Sequence, residues 1–127
     1  MIDHAAAGRL LDALADARVT FDGDAWVDLF TDDAMVRQDP FLPPLVGRNA
    51  LRADLLEAAR VEEQVEFTWE RHWVVPPTIL APWRMSYIER GTRARVSLAG
   101  FATLEIADDG RIARARRWYH RREAPAG

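Results

Sequence analysis

The chain has 127 residues, no cysteine and a formal net charge of −3. That length suits one domain with a substantial core, while the missing cysteines exclude disulfides, thiol nucleophiles and thiolate metal sites. The acidic balance gives nucleic-acid binding no global support. No apolar run approaches a membrane span, and the N-terminus lacks a basic segment followed by an apolar one, so a cytoplasmic protein is expected. His4, His72 and His120 lack ligand spacing, and no metal site is expected. Every basic residue is arginine, which reads as compositional bias. The run Arg111, Arg114, Arg116, Arg117, Arg121 and Arg122 reads mainly as a solvated strand face.

In chain order, residues 3–18 predict a helix, with Asp3 as N-cap and Leu10, Leu11, Leu14 and Ala17 on one face. Asp22-Gly23-Asp24 breaks it and offers a second cap, followed by the apolar stripe Trp26, Leu29 and Phe30. Thr31-Asp32-Asp33 closes that stripe, and a short strand delivers Asp39 immediately before Pro40. The segment Pro40-Phe41-Leu42-Pro43-Pro44 is a loop, since three prolines restrict themselves and their predecessors. Asn49 is the expected cap of a third helix over 49–60, with Leu51, Leu55, Leu56 and Ala59 inward.

From residue 64 the apolar period changes from about 3.6 to about 2. In 65–73 the odd residues Val65, Phe67, Trp69, Arg71 and Trp73 are expected inside. Pro76-Pro77 separates this strand from 79–88, where Ile79, Ala81, Trp83, Met85 and Tyr87 face inward. After a turn at Glu89-Arg90-Gly91, the even residues of 94–106 face inward, from Ala94 to Ile106. Asp108-Asp109-Gly110 is a turn. The last strand, 111–120, has two occupied faces: Ala113, Ala115, Arg117 and Tyr119 against Ile112, Arg114, Arg116, Trp118 and His120. Helices followed by strands argue for an α+β architecture. A single domain over 1–122 is expected, with a frayed tail at 123–127.

Three pieces in this order and spacing carry a resemblance. They are Trp26…Leu29-Phe30-Thr31-Asp32-Asp33-Ala34 running to Asp39-Pro40, Gly47 with the helix after it, and Gly100-Phe101-Ala102-Thr103-Leu104-Glu105-Ile106…Asp109-Gly110-Arg111-Ile112…Trp118-Tyr119-His120. Together they resemble the nuclear-transport-factor-2-like superfamily, in its SnoaL-like or ketosteroid-isomerase-like branch. The resemblance implies a cone-shaped, curved antiparallel sheet closed by three N-terminal helices, with an apolar cavity and commonly a homodimer. It covers isomerases, dehydratases, cyclases, epoxide hydrolases and inactive members, so function has to be argued from the site.

By that resemblance Asp39 matches the catalytic aspartate of ketosteroid isomerase, whose oxyanion hole pairs a tyrosine with a protonated aspartate, a system known for its tuned carboxyl groups. The matching oxyanion positions here are Leu14 and Ala102, both apolar, so a standard steroid isomerase is not expected. Parity offers another polar set: Tyr87, Arg117 and Tyr119 inside with Asp39, the phenols and the guanidinium as oxyanion donors. His120 stands where SnoaL-type cyclases carry an acid and is a further proton carrier, or a surface residue. Phe67, Trp69, Trp83, Met85 and Tyr87 are the expected substrate-binding wall. The expectation is an enzyme of isomerase or lyase type performing cofactor-free proton transfer on an apolar carbonyl or polyketide-like substrate. One alternative is a non-catalytic ligand-binding or dimerisation domain, with Asp39 and Arg117 neutralising each other and Ile112 and Trp118 on an outer dimer face. The other is an epoxide hydrolase, which needs a second carboxylate; Val65 faces inward at the matching position and Glu66 outward, unless a bulge reverses them.

Overall fold

Asp3 starts the first helix as its position predicts: its side chain accepts the Ala6 N–H at 2.8 Å. The structure, a computed structural model, describes residues 1–125. Helix α1 (His4–Thr20) buries Ala7, Leu11, Leu14 and Ala17. Asp22 caps α2 (Gly23–Asp28) in the same way, accepting from Ala25 N–H at 3.1 Å. Strands β1 (Phe30–Arg37) and β2 (Leu45–Val46) then precede α3 (Arg48–Val61), so the helices do not all come before the sheet. The cap of α3 is Gly47 at φ 87°, with no side-chain cap hydrogen bond, rather than Asn49. Glycine is suited there because the backbone is left-handed. Leu51 and Leu55 are buried as expected, but Leu56 is exposed, since the inward stripe of α3 runs 51-55-58 and not through 56.

Strands β3 (Glu62–Trp69), β4 (Trp73–Val75), β5 (Thr78–Glu89), β6 (Arg95–Ile106) and β7 (Ile112–Ala124) complete the fold. The sheet runs β2-β1-β7-β6-β5-β3, with β4 beside β5. It is mixed rather than wholly antiparallel, because β1 joins β7 in parallel. It is curved and does not close into a barrel. The parity of β5 and β6 holds throughout: Ile79, Ala81, Trp83, Met85 and Tyr87 are buried, as are Val96, Leu98, Ala102, Leu104 and Ile106.

Parity fails where the ladder is interrupted. Glu70, Arg71 and His72 leave the sheet between β3 and β4. The facing set therefore flips, leaving Trp73 44% exposed while Val74 packs on the core. A bulge between Glu105 and Ile106 on the β6–β7 ladder turns Ile112 inward, where it is fully buried, before Ala115 and Arg117 take over the inner face. Ile112 therefore belongs to the core and not to an outer surface; the outer face carries the cross-strand pair Phe101 and Trp118, both partly exposed. The strand also continues past the expected end, since Glu123 pairs with Val96 and Ala124 with Arg95; residues 126 and 127 of the expected tail lie outside the described residues.

This placement of Ile112 is directly measurable. Ile112→Ala removes a fully buried side chain and is expected to cost about 2–5 kcal/mol in urea unfolding. Trp118→Ala on the outer face is expected to cost about 1 kcal/mol or less, the scale of a cross-strand pair. Equal losses would contradict the inward turn of Ile112.

Candidate active site

A cavity of about 340 Å³ lies between α1, α3 and the inner face of the sheet. Its walls are mostly apolar: Leu14, Phe30, Leu55, Phe67 and Trp83, with Trp26 from α2 and Trp69 from β3. Trp69 and Trp83 line open space, with Phe67 stacked on Trp83 at 5.7 Å between ring centroids and edge-on to Trp69 at 5.0 Å. Met85 and Tyr87, also expected in this wall, are not among the lining residues. They share the inner face but pack in a second cluster with Val96 and Leu98.

The polar side of the cavity comes from four elements. Helix α1 places Arg18 one turn after Leu14, and α3 places Asp54 beside Leu55. Glu62 follows the end of α3, and Arg117 projects from β7 opposite Ala102. Gln38, just beyond β1, donates through Nε2 to Asp54 Oδ2 at 2.8 Å. Arg18 Nη2 stands 3.0 Å from both carboxylate oxygens of Glu62, with its directed hydrogen bond to Oε2. Arg18 Nη1 and Glu62 Oε1 are closed off from solvent without hydrogen-bond partners among the described residues.

Glu62 is the one buried charged residue among those described, 7% exposed. Burial pushes its carboxyl above the usual carboxylate range, and the attraction and hydrogen bond of Arg18 offset this only in part. Arg117 has the opposite problem. Its guanidinium lies 5.7 Å from the Trp83 ring centre and 5.1 Å from that of Tyr119, and burial holds it below the usual arginine range. Arg117 Nε and Trp69 Nε1 are likewise enclosed and without a hydrogen-bond partner. Unsatisfied buried donors on the wall of an open cavity are sites a ligand can satisfy.

Asp39 lies elsewhere. Its Oδ1 accepts the Phe41 N–H at 2.9 Å and its carbonyl accepts the Leu42 N–H at 3.1 Å, so it organises the proline loop. It is not among the cavity's lining residues. The chain bends at Gln38 and Asp39 as it leaves β1: Val36 and Gln38 line the cavity, while Asp39 is turned into the loop that it caps. Asp39 and Arg117 form no ion pair among the described contacts. Tyr119 shares the side of Arg117 and lies against Trp83, 6.0 Å between ring centres, but it is 39% exposed and outside the cavity lining. His120 is exposed. Thus Arg117, Phe67, Trp69 and Trp83 line one cavity, Tyr119, Met85 and Tyr87 pack beside those residues without lining it, and Asp39 and His120 stand apart.

Arg18, Gln38, Asp54 and Glu62 are the additional residues. Helical spacing announces two of them: Arg18 follows Leu14 by four, and Asp54 follows Leu51 by three. Glu62 has no such pattern. Simple alternation would send it outward with Glu66. However, Gln64 has φ 54° and the β3–β5 register shifts between Glu63 and Glu66. The anticipated bulge therefore exists, but it brings Glu62 inside and leaves Glu66 exposed.

The SnoaL-like domain family matches residues 7–115. No curated protein matches the chain by sequence. Similar solved structures include Δ5-3-ketosteroid isomerase from Mycobacterium sp., 16% identical over 94% of this chain and 98% of that one, with a TM-score of 0.80. An LEH-like epoxide hydrolase of M. tuberculosis is 20% identical over 91% of this chain and 84% of that one, with a TM-score of 0.76. SalBIII, an epoxide hydrolase/cyclase-like enzyme with a role in pyran ring formation in the polyether salinomycin, is 16% identical over 94% and 95%, with a TM-score of 0.83. At these identities the likeness is one of fold.

Proposed function

The chain belongs to the SnoaL-like domain family, and we propose that it binds a mostly apolar carbonyl compound and moves a proton on it without a cofactor. In this reading the three helices close one side of the cone over the substrate. The observation that carries it is Glu62: a desolvated carboxyl group on the wall of an aromatic cavity, with one oxygen free of any directed hydrogen bond. A carboxylate in such surroundings is a stronger base than one in water, and its acid form persists to higher pH.

Glu62 Oε1 takes a proton from the carbon beside the carbonyl. The C–H electron pair becomes the new carbon–carbon double bond, and the carbonyl π pair moves to oxygen. Arg117 holds the resulting oxyanion, its charge acting strongly because the site is screened from water. Returning the proton to another carbon gives isomerisation; departure of hydroxide from the neighbouring carbon, protonated by Glu62, gives dehydration. Arg18 orients Glu62, and Gln38 orients Asp54. Leu14 and Ala102 on the wall leave no room in this reading for a tyrosine–aspartate oxyanion hole, so Arg117 takes that role.

A second reading rests on a separate observation, the presence of two carboxylates, Asp54 and Glu62, on one cavity. Epoxide hydrolysis would use Asp54 to activate water and Glu62 to protonate the opening ring oxygen.

Deuterium uptake from D2O beside the carbonyl of a panel of apolar ketones and enones, followed by NMR, tests the leading reading without knowledge of the natural product. Asp39→Asn is expected to keep uptake within about threefold of wild type, because asparagine preserves the turn's acceptor. A loss of 100-fold or more in that variant, with its fold intact, would move the base back to Asp39. Ring opening of epoxides with no uptake into ketones would favour the hydrolase.

A further inference from the structure

The cavity's donors outnumber its acceptors in a way that narrows the ligand. Among the described residues, three enclosed nitrogens on its wall lack partners: Arg18 Nη1, Trp69 Nε1 and Arg117 Nε. One enclosed oxygen, Glu62 Oε1, is in the same state. The ion pairs are also uneven. Glu62 is taken by Arg18 and Asp54 is tied to Gln38, while Arg117 has no ion pair among the described contacts: the faces of Trp83 and Tyr119 lie beside it, and Asp54 and Glu62 act on its charge without reaching ion-pair distance. A buried guanidinium without a carboxylate costs stability, and an orphaned indole N–H adds to that cost. A lone ketone oxygen accepts about two hydrogen bonds and carries no charge. It would leave Arg117 without a counter-ion in contact.

We propose that the ligand of this cavity is an apolar oxo acid, a carbonyl compound that also bears a carboxylate, with the carboxylate held by Arg117 and Trp69 and the hydrocarbon body against Phe67 and Trp83. This deepens the proton-transfer reading and rests on it only for the carbonyl. A carboxylate matches the guanidinium in charge and in planar shape. Its second oxygen accounts for the indole donor, and the keto oxygen for Arg18 Nη1, so that with an oxo acid Arg18 rather than Arg117 faces the developing oxyanion. The unpaired arginine is then a binding feature kept at the expense of the empty protein's stability.

Isothermal titration with two ligands of the same aromatic body, 2-naphthoate and 2-acetonaphthone, separates the carboxylate from the ketone. Wild type is expected to bind 2-naphthoate at least about tenfold more tightly, the lower end of what a charged hydrogen-bonded pair contributes. Arg117→Met should bring the ratio between the two ligands below about threefold, with a thermal midpoint at or above that of wild type, since an unpaired buried charge is gone. Trp69→Phe, which keeps a ring and removes the N–H, should weaken 2-naphthoate alone, by about three- to tenfold. Equal or weaker binding of 2-naphthoate by wild type overturns the proposal, as does an equal loss of both ligands in folded Arg117→Met or Trp69→Phe. If 2-naphthoate is preferred yet Glu62→Gln still exchanges deuterium at the wild-type rate, the oxo-acid assignment stands and the proton-transfer role of Glu62 falls. If exchange is lost in Glu62→Gln while 2-naphthoate shows no advantage, the proton-transfer reading stands and the oxo-acid assignment falls.

Discussion

Glu62→Gln is expected to lower deuterium exchange into a verified ketone substrate by about 10²–10⁴-fold, the usual contribution of a positioned general base. Glutamine keeps the size and an acceptor for Arg18 but takes up no proton. The wild-type rate should rise with pH through the folded-state pKa of Glu62 and then level off, since the base must be ionised; the variant should lack that step. An unchanged rate or an identical pH profile would remove Glu62 from the chemistry.

The same substitution has a signature in stability. Because burial raises the Glu62 pKa above its ordinary value of 4.5, the native state holds the proton more firmly than the unfolded chain. The corresponding stability is complete below the unfolded value and is lost as pH rises from about 4.5 through the folded value. Wild type should therefore lose stability across this window relative to Glu62→Gln. At neutral pH the variant should be at least as stable as wild type, because desolvation of the ionised carboxyl outweighs the attraction of Arg18, and the neutral amide avoids it. Urea unfolding of both proteins between pH 4 and 8 measures both effects. A difference that is flat with pH would mean that Glu62 titrates alike in the folded and unfolded chains.

Gly100→Ala is expected to cost about 3 kcal/mol or more, at the upper end for overpacking, and to lower the thermal midpoint by roughly 10 °C. A Cβ there would overlap the Trp118 carbonyl oxygen and come within 2.8 Å of Tyr119 Cβ and 2.9 Å of Tyr119 Cα. Two of these obstacles are backbone atoms, so no rotamer change relieves them; β7 itself must move. Gly100 lies opposite Tyr119 on β7 and Trp83 on β5. The bare backbone lets those two rings approach across it, next to the Arg117 guanidinium. Displacing β7 should therefore weaken 2-naphthoate binding as well as stability. A variant as stable as wild type would show that the close approach of β6 and β7 is not needed.

The fold was legible because its cues are local. Asp3 and Asp22 are capping residues at helix starts, Asp109-Gly110 closes a hairpin, and the alternation runs through most of β5 and β6, pausing at the side-chain-less Gly100 and at the end of β5. The aromatic wall followed from the same alternation, and so did the inward placing of Arg117. The resemblance to the SnoaL-like branch came from the order of such cues along nearly the whole chain.

The charged part of the site was not legible in this way. A one-residue change of phase exchanges the two faces of a strand, and three such changes matter here. Gln38 rather than Asp39 reaches the cavity, the left-handed Gln64 turns Glu62 inward, and the bulge before Ile112 buries it while leaving Arg117 inside. Asp39 before Pro40 is an equally good start for a turn and for a buried base, and the hydrogen bond to Phe41 selects the turn. Sequence by itself determined the elements, their order and the apolar face within each unbroken strand, because those depend on neighbours along the chain. Only tertiary structure decided which charged residues share the cavity, because strand register is settled by pairing with other strands, as Ala102 with Arg117 and Glu62 with Glu89.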